Sequence, residues 1–243
     1  WGLNADGQAD VPEAATNIVA VAVGTTHSLV LREDGSVLAW GGNGNGQTNV
    51  SAAATNVVGI AAGEAHSLAL RADGTVLAWG NNDFGQTNVP LSATGLVAIA
   101  AGRNHSLALR ADHAVIAWGL QYKVPAAATN VVAIAGGWWH SLALRADGTV
   151  VAWGDNTYGQ SEVPASATNV VAIAAGFYHN LALRSDGTVI AWGGGDISGA
   201  LWGVTNVPAG LENVAGIAAG EDFNLAIVEP GPPRFGRQPE SAV

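Results

Sequence analysis

Val57-Val-Gly-Ile-Ala-Ala-Gly-Glu-Ala-His-Ser-Leu-Ala-Leu-Arg-Ala-Asp-Gly-Thr-Val-Leu-Ala-Trp-Gly80 is the stretch that decides how this chain folds, because the chain repeats it. Further copies run through His27, His105, His140 and His179, and a worn sixth copy puts Phe223 at the histidine position. The closing tryptophan recurs at Trp1, Trp40, Trp79, Trp118, Trp153 and Trp192, at spacings of 39, 39, 39, 35 and 39 residues. A period of that length implies an array of small units that bury a shared core, not one or two ordinary domains.

Inside a copy, residues 56–62, 66–71 and 75–79 are short apolar or β-branched runs of strand length. Asp73-Gly74 separates the second run from the third. Such a pair between apolar runs predicts a tight hairpin, since glycine takes a positive φ at no steric cost. Asp34-Gly35, Asp147-Gly148 and Asp186-Gly187 repeat the signal, whereas the third copy has Asp112-His113. A residue with a Cβ must then occupy that position, so this hairpin is expected to be the most strained or altered. No window sustains a 3.6-residue period, which favours antiparallel three-stranded sheets over helical units. Ala61, Ala62, Ala69 and Ala78 would let neighbouring sheets approach closely around an axis, and each tryptophan adds about 200 Å² of apolar surface. The fold class expected is all-β, a β-propeller of short three-stranded blades, with six counted and seven possible if a further unit precedes Trp1.

Hydrophobic residues make up 49% of the 243 residues and charged ones 12%, yet no run nears the ~18 uncharged apolar residues of a membrane helix. Membrane insertion is not expected. A net charge of -10 with Lys123 as the single lysine argues against nucleic acid as a partner, because phosphate binding draws on clustered cations. The absence of cysteine removes disulfides, thiolate zinc sites and thiol nucleophiles. The absence of methionine, even at position 1, suggests a processed product or a piece of a longer chain. Trp1-Gly2 looks like the end of one copy and Val228 like the middle of another, so the two ends are complementary. A monomeric ring closed by pairing the N-terminal strand with the C-terminal strand follows, spanning residues 1–228. Residues 229–243 open with Glu229-Pro-Gly-Pro-Pro233, a stiff linker, and continue into what resembles the first strand of an immunoglobulin-like domain.

Three motifs together carry a family resemblance: Ala-Ala-Gly-x-x-His-Ser-Leu-Ala-Leu, Asp-Gly-x-Val-x-Ala-Trp-Gly and Asn-x-x-Gly-Gln-Thr-x-Val-Pro. The pattern resembles the regulator of chromosome condensation repeat in its short bacterial form. The resemblance implies a propeller of three-stranded blades in a secreted or cell-surface bacterial protein, and it extends to members that inhibit β-lactamases through aromatic turns. The chain is acidic and its repeats are short, so the exchange-factor activity of the nuclear members is not carried over.

Six copies of one scaffold also permit an internal comparison. The two residues between the glycine and the histidine are Thr25-Thr26, Glu64-Ala65, Arg103-Asn104, Trp138-Trp139, Phe177-Tyr178 and Glu221-Asp222, varied in chemistry while their flanks barely change. The connections after each Trp-Gly vary as well and contribute Phe84, Tyr122, Tyr158 and Trp202. In a three-stranded meander both sets fall at the end opposite the Asp-Gly hairpins, so they should share one face. Exposed Trp and Tyr in a cluster are the composition of a binding hot spot. Trp138, Trp139, Phe177, Tyr178, Arg103, Asn104, Tyr122, Tyr158, Trp202 and Phe84 are therefore the candidate partner-binding residues. A protein partner is expected, with an inhibited enzyme or a carbohydrate as alternatives.

The five repeated histidines could be imagined as metal ligands or bases. A ligand set needs several nitrogens within about 2.1 Å of one ion, which equivalent positions on separate blades do not offer. A structural hydrogen bond remade in each blade explains the repetition better, and the arginines at Arg32, Arg71, Arg110, Arg145 and Arg184 read as partners of the hairpin aspartates. No catalytic triad order, phosphate loop or calcium loop is present. No enzyme activity, cofactor or metal is expected.

Overall fold

The computed structural model describes residues 2–120, 123–194 and 203–229, and these fall into two compact units that meet in sequence at residues 121–122. The first unit holds β1 (Ile18–Val23), β2 (His27–Arg32), β3 (Val37–Gly41), β4 (Val57–Ala62), β5 (His66–Arg71), β6 (Val76–Gly80), β7 (Leu96–Ala101), β8 (His105–Arg110) and β9 (Val115–Gly119). The second holds β10 (Val131–Gly136), β11 (His140–Arg145), β12 (Val150–Gly154), β13 (Val170–Ala175), β14 (His179–Arg184), β15 (Val189–Gly193), β16 (Val214–Ala219) and β17 (Asn224–Val228). They form five three-stranded antiparallel sheets and, from β16 and β17, one two-stranded sheet. Among the described residues there is no helix, and so none long and apolar enough to cross a membrane.

Each blade is a meander. In the second, Val57 to Ala62 pairs with Arg71 down to Ser67, and His66 to Leu70 pairs with Gly80 down to Val76. A bulge between Val57 and Gly59 recurs in the first strand of every blade, and the residue just before that strand has a positive φ. It is asparagine at Asn17, Asn56, Asn130, Asn169 and Asn213 and glycine at Gly95, the two residue types that most readily adopt the left-handed region.

The middle strands are buried almost throughout, and their two faces do different work. Leu68 and Leu70 of β5 pack with Leu96, Ile99, Ala108 and Trp118 of the following blade. Ala69, between them, faces the preceding blade and sits with Leu29, Leu31 and Ile60. The same arrangement places Leu142 and Leu144 against Val170, Ile173, Ala182 and Trp192 in the second unit. A leucine ridge therefore enters a neighbour's alanine-floored face, which is how close-packed sheets of this size exclude voids. Removing Trp118, 2% exposed, would cost about 3–5 kcal/mol.

The hairpins behave as their sequence demands. Gly74 has a φ of 75°, Gly74 N–H donates to the Arg71 carbonyl at 2.9 Å, and Asp73 accepts from the Thr75 N–H at 3.0 Å and the Thr75 hydroxyl at 2.5 Å. Those two donations hold the Asp73 carboxyl below its ordinary range. The third copy keeps the same turn: His113 adopts a φ of 68° and still donates its N–H to the Arg110 carbonyl at 2.9 Å. The expected strain is thus carried by the residue, while the turn itself is unaltered. Arg71, Arg110, Arg145 and Arg184 reach their hairpin aspartates at 2.9–3.6 Å, whereas Arg32 turns to the Ala14 carbonyl. These partly exposed pairs contribute little to stability.

The sixth sheet has two strands among the described residues, and β17 is exposed along its length. Trp1, to which the expected ring closure assigns the missing pairing, lies outside the described residues, as do residues 230–243 of the expected linker and following domain.

Candidate functional site

The register of the strands places the candidate residues. His66 opposes Gly80, so the turn before β5 and the loop after β6 leave the blade at the same end, and Asn81 N–H donates to the Ala65 carbonyl at 2.8 Å. Leu120 to Asn104, Asp155 to Trp139 and Gly194 to Tyr178 repeat this bond. Within each blade the two variable segments are therefore one tip, opposite the Asp-Gly hairpin.

Below the tips runs a polar lattice that the candidate residues cover. His27 Nε2 meets Ser67 Oγ of the next blade at 3.0 Å, and His66 Nε2 meets Ser106 Oγ at 3.0 Å. Ser67 donates its single hydroxyl proton to the Gln47 carbonyl at 2.8 Å, and the Trp79 indole N–H donates to the same oxygen at 2.9 Å. Ser67 can then only accept from His27, so Nε2 carries the imidazole proton. For His140 and His179 the acceptor is asparagine: His140 reaches Asn180 Oδ1 at 2.6 Å, Asn180 Nδ2 donates to the Gln160 carbonyl at 2.8 Å, and His179 reaches Asn224 Oδ1 at 2.7 Å. Nδ1 of His27, His66 and His140 has no hydrogen-bond partner. Burial pushes these imidazoles down to about 4, 3 and 4 and also lowers His179, so all four are neutral at pH 7.

The glycine three residues before His27, His66, His140 and His179 makes room for the ring. A Cβ on Gly24, Gly63, Gly137 or Gly176 would lie under 3.0 Å from the imidazole that follows it. In the worn copy Phe223 takes the same place beside Gly220. The histidines are structural in every blade where their contacts are described. Among the described residues no three His, Cys, Asp or Glu side chains converge as a metal-ligand set.

The tips themselves divide by unit. In the second, Trp138 and Trp139 of the β10–β11 turn have ring centroids 6.4 Å apart, Trp138 packs on Phe177 of the β13–β14 turn, and Phe177 lies edge-on to Tyr178 at 4.3 Å. Tyr158, from the loop after β12, stands 4.5 Å from Tyr178. All five are half-buried, so each keeps part of its ring in solvent. Beside them an open hollow of about 460 Å³ is lined by Phe177, Tyr178, Glu221 and Asp222.

In the first unit Arg103 Nε donates to Glu64 Oε2 of the preceding blade at 2.7 Å. Asn104 is only 7% exposed and Phe84 49% exposed. Tyr122 and Trp202 lie outside the described residues. The structure thus gathers Trp138, Trp139, Tyr158, Phe177 and Tyr178 into one cluster, and beside it stand Glu221 and Asp222, which are not among the aromatic residues expected from the sequence. Their place in the variable turn pair was the available signal.

The regulator of chromosome condensation (RCC1) repeat model matches residues 18–47, 57–86, 96–123, 131–160 and 170–196, more than half of the chain. The chain belongs to the RCC1 repeat family. Solved RCC1-type propellers share its fold. Prp20p from Saccharomyces cerevisiae, described with its binding to Gsp1p and histones, is 26% identical with a TM-score of 0.68 over 90% of this chain and 72% of that one. Yeast RCC1 (Prp20) bound to Kap60 is 26% identical, with a TM-score of 0.67 over 89% of this chain and 69% of that one. The ectodomain of the receptor kinase CR4 from Physcomitrella patens is 24% identical, with a TM-score of 0.71 over 84% of this chain, which spans 59% of that ectodomain. No curated protein sequence matches the chain. The fold is an RCC1-like β-propeller, and RCC1 propellers among its structural neighbours bind protein partners.

Proposed function

We propose that this RCC1-repeat propeller is a non-enzymatic binding module that grips a protein partner through the aromatic tips of the second unit. The observation that carries the reading is the cluster itself. Five half-buried Trp, Tyr and Phe side chains touch one another, and four of them fill two of the variable turn pairs, which carry no aromatic in the other four copies. Large rigid aromatics offer contact area at small entropic cost, which is why they dominate interface energetics. The protein-binding habit of the yeast neighbours supports the partner class. Placement in a secreted or surface bacterial protein belongs to the same proposal and rests on the resemblance of the short repeats.

Affinity capture with the wild-type chain beside a Trp138→Ala/Trp139→Ala variant tests it. A specific partner should be retained by the wild type and by Thr25→Ala/Thr26→Ala, and should bind the aromatic variant about 30-fold or more weakly, the loss of a hot spot worth ~2 kcal/mol or more. Undiminished capture by the aromatic variant would overturn the proposal. Two narrower identities separate on further readouts: an enzyme-inhibitor role requires stoichiometric inhibition within a β-lactamase panel, and a sugar-binding role requires hits on a glycan array.

A further inference from the structure

The hollow beside the aromatic cluster has two kinds of wall. Phe177 and Tyr178 supply ring surface from the β13–β14 turn, and Glu221 and Asp222 supply two exposed carboxylates from the β16–β17 turn. Carboxylates next to ring faces attract a cation twice over, by charge and by the ring quadrupole. The chain shows what such a position selects. Glu64 stands in its own tip where Glu221 stands, first of the two variable residues, and it holds the guanidinium of Arg103 at 2.7 Å. Among the described residues no ion pair engages Glu221 or Asp222. With a net charge of -10 and a single lysine, the chain has little basic surface of its own to spend there.

We infer that this hollow is a subsite for a basic side chain of the partner, an arginine above all. A planar guanidinium can stack on Phe177 or Tyr178 while its edge meets Glu221 or Asp222, a combination that a lysine ammonium matches only in part. The inference rests on the partner-binding reading and adds the chemistry of one anchor: the bound segment carries arginine at the place where the aromatic tips give way to acidic ones.

The test uses N-acetyl-arginine amide as the probe, titrated into the full chain and followed by amide chemical shifts, with N-acetyl-citrulline amide as its neutral counterpart. The expected result is a saturable shift centred on residues 177, 178, 221 and 222 with arginine and about tenfold weaker binding with citrulline. Glu221→Gln/Asp222→Asn should lower arginine affinity to the citrulline level, whereas Glu64→Gln should leave it unchanged. Equal responses to both probes, or arginine shifts centred elsewhere, would overturn the subsite, and this requires no variant to fold. If arginine fails while Trp138→Ala/Trp139→Ala still loses its partner, the cation subsite falls and the aromatic surface stands.

Discussion

At the tips of the first unit, Glu64 and Arg103 hold each other at 2.7 Å and Asn104 turns inward, while the tips of the second unit raise Trp138, Trp139, Phe177 and Tyr178 part-way into solvent and then two carboxylates. Beneath both sets the frame is the same. A glycine admits a neutral imidazole, the imidazole donates to a serine or asparagine one blade on, and that residue and a tryptophan meet on one carbonyl. The difference teaches that the constant frame and the varied tips are separated within a few residues of each other: one hydrogen-bonded frame carries an ion pair in one unit and an aromatic cluster in the other.

The most damaging way to challenge that contrast is to attack the frame in each unit. Gly63→Ala and Gly137→Ala place a methyl where the following histidine ring lies, and both should destabilise their units by about 3 kcal/mol or more in urea unfolding. A cost below ~1 kcal/mol in either unit would show that the frame is not shared.

Acid should act on both units at once, because neutral imidazoles lie in each. The folded pKa of His27, His66 and His140 lies at about 4, 3 and 4 against an unfolded value of 6.5, so the unfolded chain takes up protons first as the pH falls. Their stabilisation is complete above about pH 6.5 and is lost as the pH falls toward the folded values, by up to ~1.4 kcal/mol per histidine per pH unit. Denaturant midpoints measured from pH 7 to 4.5 should therefore drop steeply. A flat profile would contradict neutral, Nε2-protonated imidazoles.

The smallest effect belongs to the hairpin end, where the third blade alone among the five hairpins lacks the turn glycine. His113→Gly relieves a left-handed conformation in a residue with a Cβ and should raise stability by about 1 kcal/mol. A loss would mean that the His113 side chain makes contacts worth more than the strain.

Much of this was legible in the chain. The 39-residue period, the Asp-Gly turns and the placement of both variable segments at one end follow from local chemistry, and the register bears them out. The structural role of the histidines was legible from their repetition. Their acceptors were not, because His27 meets a residue 40 positions away, in the next copy. A signal existed: the residue after the histidine position is serine or asparagine in every copy, including Asn224 after Phe223. The inward turn of Asn104 and the pairing of Arg103 with Glu64 also depend on neighbouring blades, which no single repeat reveals. Hydrophobicity and aromatic content pointed to Phe177 and Tyr178 but gave no weight to the carboxylates across the hollow.

In the loop before β16, Val204 replaces the glutamine of the other loops, yet Asn224 Nδ2 still donates to its carbonyl. A main-chain oxygen is present whatever side chain is attached to it, so this fastening survives rewriting of the loop that carries it. The side chains that these loops display can therefore be exchanged without loosening the fastening beneath them.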